Sequence, residues 1–209
     1  MSHKSHDPAA LKSKTRLVFV RHAQSYANIE KVWHGQTDTE LTDKGYGQTK
    51  LLGAGFHHYM SPDVIYASPL QRTRHTAQAI ADPHGLELQL DPRLMEFHLG
   101  DWEGIKFAEL RDKMNLIRDP LFEAPGGESQ LLVKNRMVEA VEEIYHNNQG
   151  KNIVLVSHGV AMAVAFAHYL HGDTTRWVEY TTHNTAISEL CLSSSELLSF
   201  NDTEHLGDV

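Results

Sequence analysis

The sequence predicts an α/β fold, a three-layer sandwich in which helices cover both faces of a mostly parallel central sheet. Short apolar runs rich in β-branched residues lie at Leu17–Val20, Val64–Ala67 and 152–156. Such runs are typical of strands that are buried on both faces. Segments with helical patterns separate these runs, and no internal repeat or linker interrupts the order. Strands that alternate with helices in this way favour parallel pairing.

The first predicted strand leads into a loop and a long helix. Residues 32–45 are rich in turn formers and predict the loop. The helix is predicted from about 43 to 60, with Thr42 or Asp43 as its cap. Its candidate inward-facing residues are Leu51, Leu52 and Phe56.

The second predicted strand is followed by another helix and an edge strand. Pro69 suits the first turn of a helix that runs to about Ala81. Residues 87–90 alternate in polarity and predict a third strand near an edge of the sheet. Residues 91–104 are irregular, and a short helix is predicted over 107–114.

The carboxyl-terminal half repeats the strand and helix alternation. A turn at 125–129 opens a long helix to about His146, whose buried face is predicted to hold Val133, Met137, Val141 and Ile144. An Ala-rich helix over 160–170 directly follows the strand at 152–156. Two alternating runs at 183–192 and 197–200 predict the last strands.

Length and composition indicate one domain in a reducing compartment. We expect a single domain over residues 16–200, flanked by disordered tails at 1–15 and 201–209. The first tail is polar, so we expect no secretory signal, and no apolar stretch is long enough for a membrane span. Cys191 is the single cysteine, which excludes an internal disulfide and favours the cytoplasm.

Charge and histidine spacing exclude further classes. The net charge of −8 argues against nucleic acid and anionic membranes as partners. The 15 histidines lack the spacing of metal ligands, so we expect no metal site. Cys191 lies in an alternating apolar segment and is interpreted as a core residue. The oligomeric state stays open, a homodimer included.

Polar residues follow three of the predicted strands. Arg21 and His22 end the first, residues 68–72 with Arg72 end the second, and Ser157, His158 and Gly159 end the strand at 152–156. The ends of parallel strands meet at one edge of a sheet, so two histidines and two arginines can converge there. Two guanidiniums suit a phosphoryl group, and a neutral imidazole can attack phosphorus. Gly159 would add free backbone N–H groups from a helix start.

Phosphoryl transfer to a histidine also needs an acid for the leaving oxygen. The irregular stretch offers three carboxyl groups, Glu96, Asp101 and Glu103, and their spacing does not choose among them. Glu128 either begins the long helix or contacts substrate.

Four separated motifs resemble those of the histidine phosphatase superfamily, in the family order and over about residues 15–192. They are Arg21-His22-Ala-Gln-Ser25 with Asn28, Ser68-Pro-Leu-Gln-Arg72, Leu94-Met-Glu96 with Gly100-Asp-Trp-Glu-Gly104, and Ser157-His158-Gly159. The resemblance implies a phosphoglycerate mutase-like fold and hydrolysis of a small phosphorylated metabolite through phosphohistidine, without metal or organic cofactor. It also implies a role for each matching residue.

In these implied roles, His22 is the nucleophile and Glu96 is the general acid and base. Arg21, Arg72 and His158 hold the phosphoryl oxygens, assisted by Ser25 and Asn28. Gly35 and Gln36 line the substrate entrance.

Two departures from the family pattern bear on the reaction. Ala23 stands where glycine is usual, which we expect activity to tolerate. Leu99 replaces the tyrosine of the mutases, and the segment between Glu96 and Pro125 is short, which favours a phosphatase. The alternatives left open are a cofactor-dependent phosphoglycerate mutase and a catalytically silent phospho-ligand binding module. We expect the walls of the substrate pocket to come from residues 97–130.

Overall fold

The computed structural model describes residues 14–110 and 113–207, and it contains a six-stranded sheet. The strands are β1 (Arg16–Arg21), β2 (Val64–Ala67), β3 (Leu88–Leu90), β4 (Asn152–Ser157), β5 (Ile187–Cys191) and β6 (Glu196–Asp202). Their order is β3-β2-β4-β1-β5-β6. The pairs among β1 to β4 are parallel, and β5 and β6 add an antiparallel edge. The predicted mostly parallel sheet is confirmed, with β3 at one edge.

Helices cover both faces of this sheet. They are α1 (Tyr26–Glu30), α2 (Asp43–Tyr59), α3 (Gln71–His84), α4 (Phe107–Leu110), α5 (Met114–Ile117), α6 (Gln130–Asn147) and α7 (Gly159–His171). Alternate side chains of β1 point to opposite faces. Val18 and Val20 pack with α2 and α3, whereas Leu17 and Phe19 pack with α6 and α7. This two-sided core confirms the three-layer sandwich. No helix in the described ranges combines the length and apolar character that crossing a membrane requires.

Several local predictions are corrected. Leu51 is 39% exposed, whereas Leu52 and Phe56 are fully buried. Successive helical residues are rotated by about 100°, so Leu51 turns away from the stripe that contains the other two. Pro69 precedes α3 rather than starting it, and the single helix predicted over 107–114 is replaced by α4 and α5. The pattern did not predict α1 or the 3-10 helix Thr174–Tyr180.

The predicted carboxyl-terminal tail from residue 201 is wrong for residues 201–207. β6 extends to Asp202, and a 3-10 helix at Glu204–Leu206 packs on α2. There His205 Nε2 lies 3.1 Å from Thr185 Oγ1, and its Cβ lies close to Gly55. These contacts hold residues 204–206 against the domain. The amino-terminal tail lies outside the described residues, except for 14 and 15.

Candidate active site

The carboxyl ends of β1, β2 and β4 lie side by side and bring the two histidines together. Arg21 pairs with Ser157 across β1 and β4, and Ala67 pairs with Val156 across β2 and β4. The next residues of β1 and β4 are therefore neighbours in space. The ring centroids of His22 and His158 are 5.2 Å apart.

His22 is held in one tautomer by the backbone. Its Nδ1 lies 2.8 Å from the carbonyl oxygen of Ala23. A carbonyl only accepts hydrogen bonds, so Nδ1 carries the proton and Nε2 keeps its lone pair. Burial, followed by the charges of Arg72 and Arg21, holds the pKa of His22 well below 6.5. The ring is therefore a neutral imidazole at neutral pH, as the sequence analysis expected.

His158 is fully buried between Arg72 and Ser68. Arg72 Nε donates to His158 Nδ1 over 3.3 Å, so the proton of this ring lies on Nε2, which donates to Ser68 Oγ over 2.8 Å. Burial and Arg72 hold its pKa well below 6.5. Both ring nitrogens have protein partners here, one of which is the Arg72 guanidinium, and the contact of His158 with a phosphoryl oxygen stays a prediction. The local sequence pattern did not indicate this role of Ser68.

The two arginines are anchored differently. Arg72, in the first turn of α3, donates to Gly35 O over 2.7 Å and to Thr37 O over 3.0 Å. Arg21 donates to the carbonyl oxygen of Thr182, while its buried Nε has no hydrogen-bond partner in the described chain. Burial lowers the pKa of both guanidiniums, which nevertheless stay charged. Both arginines line the cavity, so their guanidiniums are cationic donors for an anion.

Gly159 allows Arg21 to approach the start of α7. A Cβ added at Gly159 would lie 3.2 Å from both Cζ and Nε of Arg21. That distance is tight, so a side chain at this position would push the guanidinium away. Gly159 begins α7, as predicted, and lines the cavity, where it leaves space for Arg21.

Ser25 and Asn28 form a pair in which Asn28 is the donor towards the cavity. The Oδ1 atom of Asn28 accepts from Ser25 N, from Ser25 Oγ and from Asn184 Nδ2, at 3.0, 3.1 and 3.1 Å. Its amide nitrogen therefore remains available to a ligand, while the Ser25 hydroxyl supports Asn28. Asn184 also donates to His22 O over 3.0 Å. Nothing in the local pattern around Asn184 indicated this role.

Glu96 occupies the amino-terminal end of α7. Its Oε1 accepts from Phe97 N and Ala161 N over 2.8 and 2.9 Å, and its Oε2 accepts from Val160 N over 3.2 Å. Two N–H groups at the start of α7, a position expected to offer free donors to an anion, therefore bind this carboxylate. Of the three candidate acids, Glu96 lines the cavity, whereas Asp101 and Glu103 do not.

The loop at residues 35–37 supports the site more than it contacts a ligand. Gly35 lines the cavity, but Gln36 does not. Gln36 Nε2 instead donates to Glu96 O over 3.1 Å, so the expectation that Gln36 lines the entrance is corrected. Glu128 pairs with Arg136 at 2.7 Å, and Arg136 donates to the carbonyl oxygen of Glu96. Glu128 therefore supports Glu96 through Arg136 and does not itself line the cavity.

The cavity in front of His22 has a volume of 870 Å³. Residues 97–130 contribute only three wall residues, Lys106, Phe107 and Ala108. The expectation that this region forms the walls is therefore largely wrong. Most of the wall comes from residues 25–35 and from 177, 181 and 182, because α1 and the 3-10 helix cover the strand ends. In the described ranges, no group of three or more His, Cys, Asp or Glu residues is arranged to hold a metal ion.

Comparison with known proteins places this geometry in context. Residues 17–203 match the model of the histidine phosphatase superfamily, branch 1. Phosphoserine phosphatase 1 of Hydrogenobacter thermophilus is 32% identical over 201 residues, which cover 92% of this chain and 95% of that protein. A protein of Escherichia fergusonii named "probable phosphoglycerate mutase" is 32% identical over 208 residues and 93% of each chain.

A solved structure supports the same relationship. The structure of phosphoserine phosphatase from Entamoeba histolytica in complex with 3-phosphoglyceric acid is 30% identical to this chain. It superposes with a TM-score of 0.82 over 92% of this chain and 99% of that one.

Proposed function

The chain belongs to the histidine phosphatase superfamily, and from this premise we propose that it hydrolyses phosphomonoesters of small metabolites through a phosphohistidine on His22. The tautomer of His22 carries the proposal. With Nδ1 bonded to Ala23 O, the lone pair on Nε2 has no hydrogen-bond partner among residues 14–110 and 113–207. Arg21 and Arg72 line the same cavity wall. A neutral nucleophile beside two guanidiniums suits an anionic phosphoryl group.

Binding and orientation of the phosphoryl group are assigned to four side chains. Arg21 and Arg72 offer their guanidiniums, and Asn28 offers its amide nitrogen. His158 positions Arg72 through Nδ1. These donors stabilise the charge on the equatorial oxygens while the phosphoryl group moves between the ester oxygen and His22.

The reaction runs in two steps with Glu96 as the proton carrier. In the first, the bond from His22 Nε2 to phosphorus forms as the ester P–O bond breaks, and the leaving oxygen takes a proton from Glu96. In the second, Glu96 accepts a proton from a water molecule, which attacks phosphorus and breaks the N–P bond. Inorganic phosphate is released and His22 returns to the neutral state.

The cavity supports a small phosphate ester as the substrate. Its volume of 870 Å³ exceeds what a phosphoryl group fills, so the wall also contacts the leaving portion. That wall contains apolar residues together with Lys31 and Lys106, whose charges suit a carboxylate. Phosphoserine and 3-phosphoglycerate both combine a phosphate with a carboxylate, so they are the first substrates to test. The proposed enzyme needs no metal, lies in the cytoplasm and has no nucleic-acid or membrane partner.

The test is a hydrolysis screen of small phosphate esters in the presence of EDTA. We expect phosphate release, acid-labile ³²P labelling of the wild-type protein, and loss of both in His22→Ala. Full labelling of His22→Ala would refute the nucleophile assignment. Binding of phosphorylated compounds without hydrolysis of any ester would identify a silent binding module instead.

The mutase alternative rests on the relative from Escherichia fergusonii. It predicts that a trace of 2,3-bisphosphoglycerate stimulates interconversion of 3- and 2-phosphoglycerate. The same assay with phosphate release measured in parallel decides between the two reactions, because hydrolysis liberates phosphate and isomerisation does not.

A further inference from the structure

Glu103 is a partly buried carboxylate that does not line the cavity, and its side chain is 9% exposed. It accepts four hydrogen bonds. Oε1 accepts from Gln36 N over 2.9 Å and from Leu99 N over 3.3 Å, and Oε2 accepts from both N and Oγ1 of Thr37. Three of the four donors therefore belong to the loop at residues 35–37, while His98 Nε2 lies 3.6 Å from Oε1.

The same loop holds Arg72 from its opposite side. Gly35 O and Thr37 O accept from the two terminal nitrogens of Arg72. Glu103 orients the N–H group of Gln36, and because each peptide unit is planar this also sets the direction of the Gly35 carbonyl group, which belongs to the same unit. Its hydrogen bonds to the N–H and hydroxyl groups of Thr37 hold that residue in place and thereby restrict the Thr37 carbonyl group. Arg72 in turn donates to His158. The chain of contacts runs from Glu103 through the loop to the guanidinium at the cavity.

The contact between Glu103 and the loop is close-packed. Gly35 has a φ of +49°, and a Cβ added there would lie 2.1 Å from Glu103 Oε1 and 2.8 Å from Phe97 O. Only glycine meets both the backbone conformation and the close approach. Gly104, directly after Glu103, donates through its N–H to Trp33 O over 2.9 Å. This bond is a second link between the segment of Glu103 and the residues that precede Gly35.

We propose that Glu103 is a positioning residue for the phosphoryl-binding arginine: it fixes the loop at residues 35–37 so that Gly35 O and Thr37 O aim the guanidinium of Arg72 at the cavity. The inference rests on the proposed phosphatase function. A positioning role predicts weaker binding of phosphoryl groups whatever their leaving group. A general acid would instead matter most for esters whose leaving groups need protonation.

The experiment compares Glu103→Gln with Glu123→Gln, a matched change at an exposed glutamate outside the cavity wall. The glutamine replaces one accepting oxygen with a donor that faces backbone N–H groups. We expect kcat/KM to fall about 10- to 100-fold, as for a displaced binding group, and equally for p-nitrophenyl phosphate and an alkyl phosphate. Binding of orthovanadate should weaken in parallel. Glu123→Gln should match the wild type.

Hydrogen exchange separates this role from a general loss of stability. Amides of residues 33–40 should exchange faster in Glu103→Gln, while those of β1 and β4 keep wild-type protection. Unchanged orthovanadate affinity would overturn the proposal, and so would a loss confined to alkyl phosphates. Should Glu103→Gln fail to fold, Gly35→Ala perturbs the same contact from the loop side and must reproduce the uniform loss. Hydrolysis by the wild-type protein tests the proposed function separately.

Discussion

Acid should destabilise this protein through its two buried imidazoles. Burial and the charge of Arg72 hold the pKa values of His22 and His158 well below 6.5 in the folded state. In the unfolded chain a histidine has a pKa of about 6.5. Below about pH 6.5 the unfolded chain therefore binds more protons than the folded protein. The stability associated with these neutral rings is fully present above that pH and is lost as the pH falls below it.

The magnitude follows from the linkage relation. When the pH falls from 7.0 to 5.5, the free energy of unfolding decreases by about 1.2 kcal/mol for each histidine that stays neutral in the folded state and has an unfolded pKa of about 6.5. The two rings together cost about 2.5 kcal/mol. This is a substantial share of the roughly 5–15 kcal/mol that stabilises a domain.

Urea unfolding at the two pH values measures this effect, and His158→Gln isolates one ring. The variant should lose about 1.2 kcal/mol less than the wild type between pH 7.0 and 5.5, since one of the two protonation sites is gone. His57→Gln removes an exposed imidazole of α2 and should keep the wild-type dependence. If His158→Gln loses stability as steeply as the wild type, His158 is not a buried neutral ring and the reasoning fails.

Four further predictions concern activity. Glu96→Gln should lower kcat by about 10²- to 10⁴-fold for alkyl phosphates and less for aryl phosphates; equal losses would exclude Glu96 as the acid. Arg136→Gln removes donors to the carbonyl groups of Met95 and Glu96, and its kcat loss should show the same leaving-group bias. Gly159→Ala should displace Arg21 and lower kcat/KM about tenfold, with orthovanadate binding as the check. Activity should decline through protonation of His22 only at a pH well below 6.5, and a decline already complete at pH 6.5 would contradict the lowered pKa.

Much of the fold follows from local patterns. The run at residues 17–20 is apolar without alternation because both faces of β1 are covered, and that pattern is visible in the sequence. Leu52 and Phe56 are one helical turn apart, which indicates the buried stripe of α2. The failure at Leu51 has a simple cause. Two adjacent leucines have equal hydropathy, and only the rotation of the helix about its axis decides which one is buried.

The spacing of the three carboxyl groups did not choose the acid, and Glu96 was predicted only from the family resemblance. Glu96, Asp101 and Glu103 lie within eight residues of each other and are chemically alike. Their environments come from distant segments. Glu96 meets N–H groups of residues 160 and 161, whereas Glu103 meets those of residues 36 and 37. The wall of the cavity was missed for the same reason, because α1 and the 3-10 helix at Thr174–Tyr180 fold over the site from remote parts of the chain.

The sequence by itself determined which side chains stand at the ends of the strands, since periodicity and residue type act over a few neighbouring positions. It therefore predicted that His22, His158, Arg21 and Arg72 converge. Only the tertiary structure decided what each of them contacts: that His22 exposes Nε2, that His158 contacts Arg72, and that Glu103 supports a loop. Hydrogen bonds are directional and depend on distances of a few ångströms, which are set where separate segments pack together.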